Sequence, residues 1–145
     1  MATSIVVADA QATPVNHTFV PIGLDQNDIY WWSDQSASNA LGYWRIGVSL
    51  RRPQDSVKQG TTASNRNYVA KIQIVEPVLA NVTNSTVTGV QPAPTLAYVP
   101  RSYHEFILPE WSAVLDRQNL SKMSPLILQN AQIKAVLENL AFPGA

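Results

Sequence analysis

The chain has 145 residues, no cysteine, and ten basic against ten acidic side chains, for a net charge of zero. That length suits one domain with its own core, and the missing cysteines exclude a disulfide framework and a thiolate zinc site. No run approaches the roughly 20 apolar residues of a membrane span. The N-terminus lacks the basic and apolar regions of a signal peptide, so the expected setting is a cytosol or a particle assembled there.

Residues 4–8 and 18–22 are short β-prone runs around a turn-rich segment and predict an N-terminal hairpin. Pro21 should confine the second run to an edge or a strand end. Residues 29–33, with Tyr30, Trp31 and Trp32, predict a third strand, followed by a small polar loop at 33–42. Residues 44–52 and 67–75 alternate cleanly and predict two long strands, joined by a polar connector at 53–64. Residues 77–100 hold four prolines around a Thr/Asn/Val centre, and a loop of that length is usually functional or disordered. The N-x-[ST] matches at Asn16, Asn81 and Asn84 read as chance in a Thr-rich chain without a secretory signal.

Residues 101–108 predict the last strand. The period then changes: Trp111, Val114 and Leu115 follow helical spacing, with Glu110 expected in the first turn. Ser124 and Pro125 look like the N-cap and first residue of a second helix. Its stripe is Leu126, Ile133, Val136, Leu137 and Leu140, ending before Pro143-Gly144. Strands first and helices last give an α+β class with an antiparallel sheet.

The two long strands divide their residues sharply. Trp44, Ile46, Val48 and Leu50 share one face with Tyr68, Ala70, Ile72 and Ile74. Arg45, Gly47, Ser49 and Arg51 share the other with Asn67, Val69, Lys71 and Gln73. From Arg45 to Lys71 there are six bases against Asp55 alone, net +5, so the remainder of this neutral chain carries −5. A basic open face invites an anionic partner, although such residues also solvate sheets with no partner. Two helices about 10 Å wide cover roughly four strands spaced about 4.8 Å apart. The rest of the greasy face calls for a two-fold dimer whose helices cross onto the partner's sheet.

Nothing in the sequence carries enzyme chemistry. His17 sits among turn residues, and His104 alternates with Phe106 and Leu108 as a half-buried strand residue would. Metalloprotease, nucleophile-elbow and phosphate-loop motifs are absent. Asp25 and Asp28 lack the glycine and distal glutamate of a calcium loop. The expectation is no catalytic residue, no metal and no cofactor.

The run from Tyr43 to Arg51, followed by 65–77 with its Asn-Arg-x-Tyr-x-x-Lys segment, resembles the coat proteins of single-stranded RNA bacteriophages, the levivirus group. The Arg101-Ser102-Tyr103 triplet and the two terminal helices fit the same pattern, over about residues 17–140. The resemblance implies a single coat-protein domain over 1–145: an N-terminal hairpin (1–28), a five-stranded antiparallel sheet (29–108) and two helices (109–145) that interlock with a dimer partner. It implies a homodimer joined edge to edge through its sheets, with Trp111, Leu115, Ile133, Leu137 and Leu140 at the interface. It further implies self-assembly into an icosahedral shell in the bacterial host cytoplasm, with the protein ending in the virion. The loop at 78–100 would line the symmetry axes.

The same resemblance implies that the basic face binds single-stranded genomic RNA. A hairpin bound there would repress translation. Arg45, Gly47, Ser49, Arg51, Asn67, Val69, Lys71, Gln73, Tyr103 and Glu105 fall on the RNA-facing positions, with Tyr103 stacking on a base. Gly47 and Val69 stand where members of the group carry threonines that pocket an unpaired adenine, so either the base is read by shape or a different hairpin is recognised. The alternative from another class is a dimeric RNA-binding regulator that forms no shell and has no need of the long loop.

Overall fold

The computed structural model of the chain describes residues 1–53, 66–81 and 89–143. Most of the expected connector, with Lys58, and the tip of the long loop, with Asn84, lie outside the described residues. The chain forms two compact units. One is a sheet unit of Met1–Pro53 and Tyr68–Ile107. The described part of the other, a helical unit, is residues 66–67 and 108–143.

Alternation builds the sheet. Its strands are β1 (Ile5–Ala8), β2 (Asn16–Leu24), β3 (Tyr30–Asp34), β4 (Trp44–Arg51), β5 (Asn67–Val75) and, after a small accessory pair, β8 (Arg101–Pro109). They lie in the order β1-β2-β3-β4-β5-β8. The antiparallel α+β class is as expected, but hairpin and sheet are continuous, so six strands replace a hairpin plus five. β2 makes the join: its first half pairs with β1 and its second half with β3.

Pro21 sits within β2, not at its end, but in the half that pairs with β3 alone and is therefore a local edge. The pairing with β1 finishes at Phe19, so the missing proline N–H removes no bond on that side. Against β3 the register slips between Pro21 and Gly23, and Gly23 takes φ 133°, a conformation glycine adopts freely.

The long loop contributes β6 (Val78–Leu79) and β7 (Leu96–Tyr98), which pair antiparallel with each other. Its flanks are therefore tied together. A 3-10 turn, Ala40–Gly42, precedes β4, and the side chain of Asn39 caps it by accepting from the Leu41 N–H.

The helical unit corrects two expectations. The first helix, α1, runs from Val114 to Leu128 straight through Pro125, and α2 runs from Ala131 to Asn139. The break falls at Asn130, whose side chain accepts from the Gln132 N–H. Pro125 forfeits one helical bond. Beside it, the Ser124 hydroxyl donates to the Leu120 carbonyl at 2.7 Å and stays within the turn. Glu110 is not in the first turn of α1. It pairs with the Arg66 guanidinium at 2.6 Å, and the first-turn acid is Asp116, which accepts from the Ala113 N–H.

Neither unit completes a core. Among the described residues Phe19, at 4% exposure, is the single buried hydrophobic side chain. No residue of α1 or α2 is buried. Trp111, Leu137 and Leu140 are 69%, 61% and 89% exposed.

His17 ties the hairpin to the sheet. Its Nδ1 bonds Asp34 Oδ2, its Nε2 lies 3.2 Å from Asp9 Oδ2, and its ring stacks on Trp44 at 4.5 Å. The two ring nitrogens serve different carboxylates on opposite sides, a clamp and not a convergent metal site. The hydrogen bond to Asp34 raises the His17 pKa against the opposing effect of burial, with Asp9 adding to the rise. Asp9 is held below the usual carboxylate range, first by the Val15 N–H. Burial pushes Asp34 up, but bonds from His17 and Ser36 outweigh it and leave it lowered. Glu76 lines the same hollow.

A raised histidine stabilises the fold below its unfolded value of 6.5 and loses that contribution as pH climbs through the folded value. Lowered carboxylates stabilise above 3.8 and lose it as pH falls through their folded values. The clamp is therefore strongest between those limits. Thermal melts across pH should peak in mildly acidic buffer, and His17→Gln should flatten the decline on the alkaline side. An unchanged alkaline limb would show that the clamp does not hold the hairpin.

Candidate RNA-binding face

Register brings the sequence-predicted residues together. Gly47 lies opposite Gln73, Ser49 opposite Lys71 and Arg51 opposite Val69, all on one face. Arg45, on the same face, faces Val75 on one side and Ser33 on the other. Asn67 opens β5 two residues before Val69, on the same side by alternation. Glu105 of β8 approaches Lys71 at 3.9 Å, which sets Glu105 on this face and Tyr103 two residues before it. Tyr103 is exposed, as a stacking residue must be.

Arg45 and Arg51 are exposed and form no ion pair among the described residues. The Lys71–Glu105 contact is long and both side chains are more than half exposed, so it contributes little. At one end of the face a groove of about 580 Å³ is lined by Ser49, Arg51, Arg52, Val69, Lys71 and Glu105, together with the β2–β3 turn. A surface with exposed guanidinium groups around a polar groove suits a flexible polyanion.

Sequence reasoning missed Trp31. It pairs with Gly47 and so belongs to the basic face, whereas Trp32 pairs with Ile46 on the apolar face. Its indole N–H donates to Asp25 Oδ2 at 2.8 Å. The other oxygen of Asp25 accepts from the N–H groups of Asn27 and Ile29, closing the turn in which Asp28 adopts φ 58°. The Trp31 bond, followed by the Ile29 bond, lowers the Asp25 pKa. The signal in the sequence was Gly47 itself, because a glycine in a strand interior often marks a close approach.

The approach is close. A Cβ built on Gly47 would lie 2.8 Å from Trp31 Cζ3 and 2.8 Å from Gln73 Nε2. Gly47 is thus a seat for the indole, with the Gln73 amide alongside. Gly47→Ala is expected to destabilise the fold by roughly 1–3 kcal/mol, the usual range for overpacking. A urea midpoint equal to that of the natural chain would show that the ring does not need the glycine.

The opposite face is apolar and unfinished. Trp44, Ile46 and Val48 of β4 lie beside Ile72 and Ile74 of β5 and Tyr30 and Trp32 of β3, and all remain half-buried. His104 and Phe106 are half-buried on β8, as alternation implied.

The levivirus coat protein family model matches residues 1–143. No curated protein matches the sequence. Among solved structures, the virus-like particle of bacteriophage ESE058 is 42% identical, with 98% of each chain covered and a TM-score of 0.87. The virus-like particle of bacteriophage NT-214 is 22% identical, with 98% of each chain covered and a TM-score of 0.79. The capsid protein of bacteriophage GA is 21% identical over 94% of each chain, with a TM-score of 0.65, a likeness of fold. With a strand order, terminal helices and whole-length match all in agreement, the chain belongs to the levivirus coat protein family.

Proposed function

We propose that the chain dimerises, assembles into an icosahedral shell and packages single-stranded RNA against its basic face, acting as one coat-protein domain over 1–145. The observation that carries this reading is the combination of exposed Arg45 and Arg51, with no ion pair among the described residues, on one face and a half-exposed apolar surface on the other. A lone chain with one buried hydrophobic side chain among the described residues and with bare helices has little to hold it together. A second copy supplies cover at Trp111, Leu115, Ile133, Leu137 and Leu140. The particles formed by 42%-identical ESE058 protein support a shell as the end state.

On this reading the cations neutralise phosphates and Tyr103 offers its ring to a base. A hairpin held on the same face would repress translation, and Ser49, Asn67 and Gln73 supply its polar contacts. The protein is structural, assembles in the host cytoplasm and resides in the virion.

Expression of the chain alone in bacteria tests the proposal. Size exclusion and negative-stain microscopy should reveal closed, uniform particles with strong 260 nm absorbance from trapped RNA. A soluble dimer at every concentration and salt would contradict it and favour a regulator that forms no shell.

A further inference from the structure

The indole of Trp31 is positioned with more care than a packing residue on a solvated face requires. It is fixed at one end by Asp25, which also closes the turn. It is seated across a glycine that leaves no Cβ beneath the ring. It lies on the face that carries Arg45, Ser49 and Arg51, by the pairing of Trp31 with Gly47. The Gln73 amide stands at the same register position and forms no side-chain hydrogen bond among the described residues. Its amide has two donors and a carbonyl acceptor to offer.

We propose that Trp31 and Gln73 form a binding site for one unpaired nucleobase of single-stranded RNA, the indole as stacking platform and the amide as reader of the base edge. This rests on the reading of the basic face as the RNA surface and adds which residue holds the base. Stacking on an aromatic ring contributes ~1–3 kcal/mol per base, and every base has a face to offer. The side-chain amide adds discrimination, because single-stranded bases expose the edges that duplexes hide. The rigid mount matters, since a ring already held in place loses little freedom on binding. Gly47 therefore acts here by making room for an aromatic platform, and the base is held by stacking where a threonine pocket would hold it by hydroxyl bonds. Asp25 is a positioning residue for the platform.

The test measures binding of short oligoadenylate and oligouridylate RNAs to the dimer at several salt concentrations. Trp31→Leu should weaken binding roughly 5- to 150-fold, the range corresponding to one stacked base, with the salt slope unchanged because no phosphate contact is lost. Trp31→Phe should restore part of the affinity, and Gln73→Ala should narrow the difference between the two RNAs. Affinity unchanged in Trp31→Leu, with Arg45→Ala and Lys71→Ala still weakening it, would overturn the platform while leaving the RNA face intact. Loss of effect in both sets would overturn the face itself. Should Trp31→Leu fail to fold, ultraviolet crosslinking of the unaltered protein decides: adducts on Trp31 support the site, and adducts confined to other residues overturn it.

Discussion

Leu137→Glu is expected to abolish both dimers and particles. Leu137 is 61% exposed on α2, one helical turn after Ile133. Fully burying a leucine contributes about 1.5–3 kcal/mol, and a two-fold interface contains the residue twice. The substitution removes that gain and adds a carboxylate that would have to leave water without a partner, which costs several kcal/mol more. Sedimentation should find monomer or aggregate and no closed shell. Lys134→Ala is the control, because its exposed i,i+4 pair with Glu138 contributes only tenths of a kcal/mol. Dimers that persist in Leu137→Glu would remove α2 from the interface.

Arg45→Ala combined with Lys71→Ala should lower RNA content and flatten its salt dependence while dimers remain. Two lost phosphate contacts on a single strand reduce the slope of log affinity against log salt by about 1.4. Lys71→Ala should have the larger effect of the two, since it leaves Glu105, 3.9 Å away, as an uncompensated acid on the face. Unchanged RNA uptake would mean that the genome lies elsewhere. Gel-filtered particles with the ratio of 260 to 280 nm absorbance recorded across salt give the answer.

Most of the sheet was legible because alternation is a strong local signal. β5 begins and ends where its alternation does, and β4 stops one residue short of the expected end. The polarised face followed from that alternation and from charge alone. The helix boundary was not legible. Ser124-Pro125 has the form of a helix start, and only the neighbouring turns decide whether a proline opens a helix or sits inside one. The β6–β7 pair has two and three residues, too short for any period to be read. Pro21 was rightly expected at an edge, but that the edge lies within β2, where the strand changes partner, is a tertiary fact.

The site shows the same division. The candidate residues on β4 and β5 share a face because period two requires it. Trp31 was hidden because three consecutive aromatics, Tyr30 to Trp32, leave the two faces indistinguishable until register assigns them. Asp25 looked like part of a failed calcium loop. Its carboxylate is spent on the turn and on the Trp31 indole, a bond six residues apart that no local motif announces.

A cryo-EM map of particles formed by the chain expressed alone would show directly which face meets the RNA. Arg45, Ser49, Arg51 and Lys71 should line the inner wall with RNA density against them, and helices of the partner should close the apolar faces of β3, β4 and β5. A map with the basic face turned outward, or with inner density that avoids it, would rule out RNA packaging on this face.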